Sequence, residues 1–383
     1  MKLLLSAGEV SGDQHGAALL AALARRVPEL HVSGIAGDRC EAAGMRLLAH
    51  QRDLAVTGLV EALSKVRFAR ALMKRLTAEA VDSRVDGAIL IDSPDFNLPF
   101  AKLLSRAGIP VVFYVSPQVW AWRSGRAKKI HARGRAVLVL FGFEKRWWDA
   151  RGLGDKVTWV GHPLVEKAQA ELAVPDPGPA PGRRRVVLMP GSRRNEIERN
   201  LPVMAEALSI LKRERTDVDA VLIRADSVPE ELLRTAGGAG LTNVPFVSGA
   251  HLALLAASDV LVVASGTATI EGLLTRLPMV VLYRMNGLTH FLARLLVRGV
   301  DRIAMANIVS DDGSGALTVP ELIQNDASPE RIAKEVARFL DDPALVARTK
   351  ASLDRGLADL GGPGAPDRTA EAVLAALARP ERA

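Results

Sequence analysis

Short apolar runs alternate with longer helical patterns along most of the chain, and this alternation limits the possible folds more than any other feature. In the first half, runs such as Leu3–Ser6, Ala88–Ile91 and Ala136–Leu140 are too short for helices and carry no charge. Such runs are typical of strands that are buried on both faces of a sheet. Because helical stretches separate them, we predict right-handed βαβ crossovers and a parallel sheet.

The segment Val174–Gly182 (VPDPGPAPG) interrupts this alternation. Its content of proline and glycine is typical of a linker or surface loop. The alternation restarts at Arg185–Met189, and 383 residues exceed one typical core. We therefore predict an α/β protein with two Rossmann-like parallel-sheet domains that face a cleft. The predicted ranges are 1–172 for the first domain, 173–183 for the linker and 184–364 for the second domain, with a terminal helix at about 365–383 that can pack back on the first.

Charge and cysteine content narrow the class of ligand and the compartment. Lysine and arginine number 50 against 43 acidic residues, and the net charge of +7 suits phosphates, nucleotides or anionic lipid headgroups. Aromatic residues make up only 4%, too few for the basic and aromatic pattern of a nucleic-acid binder. Cys40 is the single cysteine, which excludes an intramolecular disulfide and fits a reducing cytosol. The amino-terminal segment is too short for a signal peptide and no window is apolar enough for a spanning helix, so we expect a soluble or peripheral protein.

The strand at Ala88–Ile91 runs into Asp92-Ser93-Pro94-Asp95. Pro94 cannot donate to a sheet ladder, so we expect the strand to end there. Because ligands of open α/β sheets bind beyond the carboxyl ends of the strands, Asp92 is a candidate general base. An aspartate at this position also caps helices and turns, and the local sequence leaves both roles open.

Two strand-to-helix turns contain small residues that suit an anion at a helix N-terminus. The first, Ala7–Asp13 (AGEVSGD), includes Gly12, which permits close backbone approach, although the GxGxxG pattern is missing. The second, Met189–Arg193 (MPGSR), offers Ser192 as a cap and Arg193 for a diphosphate. Glycines are common in the βα turns of any α/β protein, which explains the first turn without a ligand, and a capped helix with a solvated arginine explains the second turn equally well.

A third strand-to-helix segment, Val260–Glu271, indicates a nucleotide site more specifically than the first two turns. Its buried strand ends in Ser265-Gly266-Thr267, where small side chains and free N–H groups suit phosphate oxygens. Glu271 follows about one helical turn later, within reach of ribose hydroxyls, although a surface glutamate would fit the same pattern. Tyr283 stands at the end of the next predicted strand.

Two further motifs are weaker signals. Asp217-Val218-Asp219 spells the DxD of many metal–nucleotide sites, but it precedes a strand, so we expect no metal and no other cofactor. His162 has no acidic partner nearby in the sequence, and a lone histidine is more often structural than catalytic.

Together these stretches resemble the lipid-A-disaccharide synthase family of inverting glycosyltransferases. The resemblance extends in order over nearly the whole chain. Its segments are AGEVSGD (7–13), LAVTGLVE (54–61), IDSPDFN (91–97), YVSPQVWAWR (114–123), FEK (143–145), GHP (161–163), LMPGSR (188–193), ASGTATIE (264–271), PMVVLYR (278–284) and the Asn307 of MANIV (305–309).

The resemblance implies a glycosyltransferase-B architecture in which the second domain holds most of the nucleotide donor. The implied reaction transfers diacylglucosamine from UDP-diacylglucosamine to diacylglucosamine 1-phosphate, and it gives the β-1,6-linked lipid A disaccharide and UDP. By the same resemblance Asp92 is the expected base, and Arg193 and Asn307 match positions required for activity. The expected substrate contacts are Glu9, Ser11, Gly12, Ser192, Ser265, Gly266, Thr267, Glu271 and Tyr283.

Both substrates of that reaction carry acyl chains, so we expect a cytoplasmic enzyme that docks on the anionic inner membrane of a Gram-negative bacterium. The basic stretches Arg67–Arg75 and Phe291–Arg298 are candidates for this contact, and ordinary helix surface explains them equally well. The family includes homodimers, and nothing in this sequence requires one. The alternatives are another UDP-sugar transferase or a UDP-N-acetylglucosamine epimerase of the same fold, and a non-enzymatic nucleotide- or lipid-binding module.

Overall fold

The computed structural model describes residues 1–54, 62–121, 124–284 and 302–378. The chain divides into two compact units, one formed by Met1–Pro163 with Leu360–Ala383 and the other by Leu164–Asp359. Each unit contains a parallel sheet with helices, so the predicted α/β class is confirmed.

Seven parallel strands form the sheet of the first unit. They are β1 (Lys2–Ala7), β2 (His31–Ala36), β3 (Arg46–His50), β4 (Gly87–Ile91), β5 (Val111–Tyr114), β6 (Ala136–Val139) and β7 (Val157–Trp159). Their order is β3-β2-β1-β4-β5-β6-β7. The order reverses between β1 and β4, and that is where open sheets of this kind bind ligands.

One face of this sheet is covered by helices that bury an apolar stripe. Leu72, Leu76, Phe100 and Leu104 pack into one core with Leu90 of β4. The helices of this part of the chain are α1 (Val10–Ala24), α2 (Asp38–Ala42), α3 (Ala62–Asp82), α4 (Pro94–Arg106), α5 (Ala127–Arg133) and α6 (Gly142–Asp149).

Six parallel strands form the sheet of the second unit. They are β8 (Arg184–Met189), β9 (Val218–Ile223), β10 (Phe246–Val247), β11 (Val260–Ala264), β12 (Met279–Tyr283) and β13 (Glu321–Ile323). The order β10-β9-β8-β11-β12-β13 reverses between β8 and β11. Pro245 predicts a short or edge strand at β10, and β10 is a two-residue edge strand.

Helices surround this second sheet along the chain. Met204, Leu208 and Leu211 of the longest one pack into a core with Leu222 and Val262 of the sheet. The helices are α7 (Leu164–Leu172), α8 (Arg194–Glu214), α9 (Glu230–Gly237), α10 (Leu252–Ala256), α11 (Ala268–Leu274), α12 (Met305–Val309), α13 (Pro329–Asp341) and α14 (Pro343–Ala358).

The last described helix, α15 (Ala365–Ala378), belongs to the first unit. Arg368 of this helix binds the backbone near the two unit boundaries, which fall after Pro163 and before Leu360. Its guanidinium donates to the carbonyl oxygens of Val160 at 2.8 Å, Gly362 at 2.7 Å and Pro363 at 2.6 Å. The N–H of His162 donates to the Leu360 carbonyl at 2.8 Å. The two segments next to the unit boundaries are therefore hydrogen-bonded to each other within the first unit.

We predict that Arg368→Ala lowers the free energy of unfolding of the first unit by about 2 kcal/mol, because three carbonyls lose a charged donor. All five tryptophans of the chain lie in residues 120–159, so tryptophan fluorescence during urea unfolding reports this unit. Arg25→Ala is the matched control. Arg25 is 58% exposed and pairs with Asp367 of the same helix, so its loss should cost no more than about 0.5 kcal/mol. Equal losses in the two variants would contradict the role given to Arg368.

Candidate active site

Asp92 follows β4 in an uncommon backbone conformation. Asp92 and Ser93 both have a φ of 44°, in the left-handed region that residues with a side chain seldom adopt. The N–H of Asp92 donates to the carbonyl of Tyr114 in β5 at 3.1 Å. Two such residues in succession persist only where neighbours hold them, and strained turns of this kind occur often at functional sites.

Asn97 is the neighbour that holds this turn. Its side chain is fully buried, and its Nδ2 donates to the carbonyls of Ile91 at 3.0 Å and Asp92 at 2.8 Å. Ser6 of β1 donates to the Asn97 Oδ1 at 2.7 Å, which fixes the amide. Asp95, the second carboxylate of this segment, is exposed and lies 3.4 Å from the guanidinium of Arg126. The hydrogen bonds that hold the turn come instead from the buried amide of Asn97.

The Asp92 carboxyl has an environment that disfavours its charged form. Burial raises its pKa to about 6, and the negative charge of Glu9 adds to the rise, while the N–H of Ser93 opposes it. Burial likewise raises the pKa of Glu144 to about 7, and the charge of Asp92 contributes. Glu9 follows β1, the neighbour of β4, so carboxyls at the ends of these two parallel strands influence one another, and the pKa of Asp92 lies closer to neutrality than that of an ordinary aspartate.

Two histidines that the sequence does not connect lie together at this end of the sheet. The His15 ring packs edge-on against Tyr114 at 6.0 Å and against His162 at 5.9 Å between ring centroids. Burial lowers the pKa of His15 to about 4 and that of His162 to about 3. With these pKa values both rings are neutral at physiological pH, so they add no cationic charge at this end of the sheet.

The other expected contacts of the first unit lie at the start of α1. Glu9 is the exposed residue that precedes this helix, and Ser11 is partly buried. Gly12 is buried against Ala7 and Ile91, so its contacts are with β1 and β4. The indole of Trp120 packs edge-on against Phe143 at 5.0 Å. Trp122 and Arg123 lie outside the described residues.

In the second unit, Ser192 and Arg193 precede α8 after a turn at Gly191, whose φ is 118°. Both side chains are exposed. The Glu196 Oε2 accepts from the N–H of Ser192 at 3.1 Å and of Arg193 at 3.3 Å, and its Oε1 accepts from the Arg193 guanidinium at 3.1 Å. The turn therefore presents N–H donors and an arginine beyond the carboxyl end of β8.

Ser265, Gly266 and Thr267 follow the neighbouring strand β11. Gly266 and Thr267 are exposed, and the φ of 149° at Gly266 favours glycine. Glu271 lies in α11, is only 9% exposed, and its Oε2 is 3.2 Å from the Nε2 of His251. Because β8 and β11 flank the point where the strand order reverses, this turn lies beside the one that carries Ser192 and Arg193.

Asn307 and Tyr283 occupy different settings. Asn307 is 1% exposed, and its amide is engaged by backbone and side-chain groups of this unit: Val319 N–H at 2.9 Å, Val319 carbonyl at 2.9 Å and Glu321 Oε1 at 2.7 Å. Glu321 in turn accepts from the N–H groups of Ile303 and Ala304, each at 2.9 Å. Asn307 thus holds a loop. Tyr283 ends β12, and burial raises the pKa of its hydroxyl.

The DxD sequence is part of an ion-pair network at the start of β9. Asp217 accepts from Arg215 at 3.1 Å and Asp219 accepts from Arg183 at 3.0 Å. Within the described ranges, no group of three or more histidine, cysteine or acidic side chains is arranged to hold a metal ion. No helix within the same ranges is both long and apolar enough to cross a membrane.

Comparison with known proteins identifies close relatives. A family model described as Lipid-A-disaccharide synthetase matches residues 3–373. Lipid-A-disaccharide synthase of Anaeromyxobacter dehalogenans (strain 2CP-1) is 39% identical over 384 residues, which covers 97% of each chain. The protein of that name from Geobacter sulfurreducens is 37% identical over 382 residues, which covers 99% of this chain and 98% of the other.

Solved structures with this fold are more distant in sequence. The calicheamicin glycosyltransferase CalG4 has a TM-score of 0.62 at 17% identity and covers 99% of this chain and 98% of its own. A putative UDP-N-acetylglucosamine 2-epimerase from Listeria monocytogenes has a TM-score of 0.60 at 13% identity and covers 100% and 98%. At such identities the likeness shows the fold alone, and it confirms the predicted glycosyltransferase-B architecture.

Proposed function

The chain belongs to the lipid-A-disaccharide synthase family of glycosyltransferases, and we propose that it forms the lipid A disaccharide with Asp92 as its general base. The donor is UDP-diacylglucosamine and the acceptor is diacylglucosamine 1-phosphate. The acceptor's 6-hydroxyl oxygen bonds to C1 of the donor sugar from the face opposite the UDP. Asp92 takes the hydroxyl proton, and the C1–O bond to the diphosphate breaks, so that UDP leaves and the new linkage is β.

The setting of Asp92 is the observation that most supports this role. Its backbone is held by Asn97 at the point where the strand order of the first sheet reverses. Its pKa of about 6 lets it be ionised at neutral pH and still accept a proton in the transition state. The lowered pKa values of His15 and His162, about 4 and about 3, make both imidazoles weaker bases than Asp92.

The departing UDP needs positive charge or N–H dipoles near its diphosphate. Arg193 and the N–H groups at the start of α8, together with the turn Ser265–Thr267, are the groups that we assign to this task. A diphosphate would replace the Glu196 carboxylate as the acceptor from Ser192 and Arg193. We assign Glu271 to the ribose hydroxyls. We assign Asn307 an indirect role, in which it holds its loop in place, because its own amide is hydrogen-bonded to Val319 and Glu321.

Acylated substrates require contact with a lipid surface, and we propose that α3 provides it on the cytoplasmic face of the inner membrane. Its exposed side combines Val66 and Phe68, which are 48% and 45% exposed, with Arg67, Arg70 and Lys74. Apolar side chains next to cations are the pattern of a helix that lies at an anionic interface. The other candidate stretch, Phe291–Arg298, lies outside the described residues.

We predict that Asp92→Asn lowers kcat by about 10³-fold or more while UDP still binds, because the substitution removes a base and leaves the donor site intact. Release of UDP and formation of the disaccharide from the two acylated substrates measure the rate, and calorimetry measures UDP affinity. A wild-type-like rate would remove Asp92 from the mechanism. Consumption of UDP-N-acetylglucosamine by the native protein, without disaccharide, would favour an epimerase instead.

Two variants serve as comparisons in that experiment. Asp95→Asn alters the exposed acid of the same turn and should leave kcat within about threefold. Arg193→Ala should weaken donor affinity as well as rate, because it removes a diphosphate contact. An unchanged donor KM and kcat in Arg193→Ala would contradict its role.

The raised pKa of Asp92 predicts the acid limb of the pH profile. Because the base must be ionised, kcat/KM should rise with pH through about 6. Glu9→Gln removes a negative charge that raises this pKa, so the limb should move to lower pH. Asp95→Asn should not move it. The pKa of Glu144 is about 7 and depends on the charge of Asp92, so the midpoint of the acid limb is an apparent pKa of the interacting carboxyls. A limb unmoved by Glu9→Gln would show that Asp92 does not set it.

The membrane contact is tested by sedimentation with vesicles of phosphatidylethanolamine and phosphatidylglycerol. We predict that V66S combined with F68S weakens vesicle binding about tenfold, because two apolar side chains no longer enter the interface. Val174→Ser is the matched control, because Val174 is 74% exposed in the other unit. If both proteins bind vesicles like wild type, α3 is not the docking surface.

A further inference from the structure

His251 and Glu271 form a buried pair in the second unit. The Nε2 of His251 lies 3.2 Å from the Glu271 Oε2, and the two side chains are only 11% and 12% exposed. Nothing in the spacing of the sequence connects them. His251 immediately precedes α10, whereas Glu271 lies in α11 after β11.

The partners of the His251 ring determine its protonation. Its Nδ1 lies 2.7 Å from the carbonyl oxygen of Gly249, which can only accept a hydrogen bond. Its Nε2 faces a carboxylate, which also accepts when ionised. Each ring nitrogen therefore faces an acceptor, and this arrangement favours the doubly protonated imidazolium. Burial on its own lowers the pKa of His251, but the hydrogen bond to Glu271, its charge and the Gly249 carbonyl together raise it above the ordinary value.

The backbone of His251 is fixed separately by α7. The Glu171 Oε2 accepts from the N–H groups of His251 and Leu252, each at 3.0 Å. Glu171 thereby satisfies two N–H groups at the start of α10 that have no partner within the helix. The ring is therefore held at its backbone by one carboxylate and at its Nε2 by another.

We propose that His251 is a positioning residue for the nucleotide donor: it holds Oε2 of Glu271, and thereby orients Oε1 toward the ribose hydroxyls. This inference rests on the proposed function, which assigns Glu271 to the ribose. A glutamate has three rotatable bonds, so fixing one oxygen removes freedom that ribose binding would otherwise have to restrict.

The pair also makes donor affinity depend on pH. The charged groups that face the ring are Glu271, Glu171 and, with the opposite sign, Lys167. Because the pKa of His251 is raised, the imidazolium persists below that pKa and is lost as pH rises through it. With Nδ1 still bonded to Gly249, the deprotonated Nε2 would face the Glu271 oxygen with a lone pair and release it. UDP affinity should then fall on the alkaline side.

Calorimetry with UDP and 2′-deoxy-UDP tests the inference. The wild type should prefer UDP by about tenfold or more, because a hydroxyl bonded to a carboxylate is a strong contact. In His251→Ala the preference should fall to about twofold or less through weaker UDP binding alone, and the KM for UDP-diacylglucosamine should rise about tenfold with kcat within about twofold. His251→Gln keeps an N–H donor for Glu271, so it should restore the preference and remove the alkaline fall.

His131→Ala is the matched control, because His131 pairs with Asp155 at 2.6 Å in the first unit and should leave both affinities unchanged. Loss of both nucleotides equally in His251→Ala, or an unchanged preference, would overturn the role of His251. If either outcome is found while the wild-type protein still synthesises the disaccharide, the proposed function is unaffected. A wild type that neither prefers UDP nor releases it from the acylated substrates would overturn both.

Discussion

Between β1 and β4, and again between β8 and β11, consecutive connections leave the sheet in opposite directions, and this divergence opens a crevice beyond the strand ends. The backbone groups beyond these ends have to find other partners, and both units use short turns that begin a helix. Every side chain to which we assign direct chemistry lies on such a turn or one helical turn beyond it. The strand order therefore determines where a ligand can bind, and the residues of the turns determine which chemistry the site can carry out.

The two units differ in the charge that they place at these turns. In the first unit burial raises the pKa of Asp92 and the negative charge of Glu9 adds to the rise, while the lowered pKa values of His15 and His162 leave both rings uncharged at neutral pH. In the second unit the turns offer an arginine and N–H dipoles, which suit a diphosphate. A base and a leaving-group site make opposite demands on electrostatics. Separate domains meet both demands without one environment compromising the other.

The sequence predicts the elements that are buried and uniform, and it misses those whose partners come from elsewhere in the chain. Strands such as β4 and β11 are recognisable because every residue in them is buried and apolar. The pattern misses β3, which is only partly buried, and β13, which has three residues. Asp92 and the turn after β11 become candidates from the sequence alone because a base or a phosphate site needs particular residue types directly after a strand. The contacts of Asn97 with Ser6 and of His251 with Glu271 are not, because only the topology brings those residues together.

The hydrogen bonds around Asp92 and those around Glu271 hold different groups, and the difference follows from the role that we propose for each carboxylate. Around Asp92 the hydrogen bonds act on the backbone: Asn97 binds the carbonyl oxygens of Ile91 and Asp92 and not the carboxylate, which we propose acts on the substrate. A donor placed on that carboxylate would stabilise its charge, lower its pKa and weaken it as a base. The role that we propose for Glu271 has the opposite requirement, since a group that accepts from ribose hydroxyls must keep both its charge and its orientation. A cation on one of its oxygens would serve both needs, and His251, whose pKa is raised by this contact, is placed to supply it.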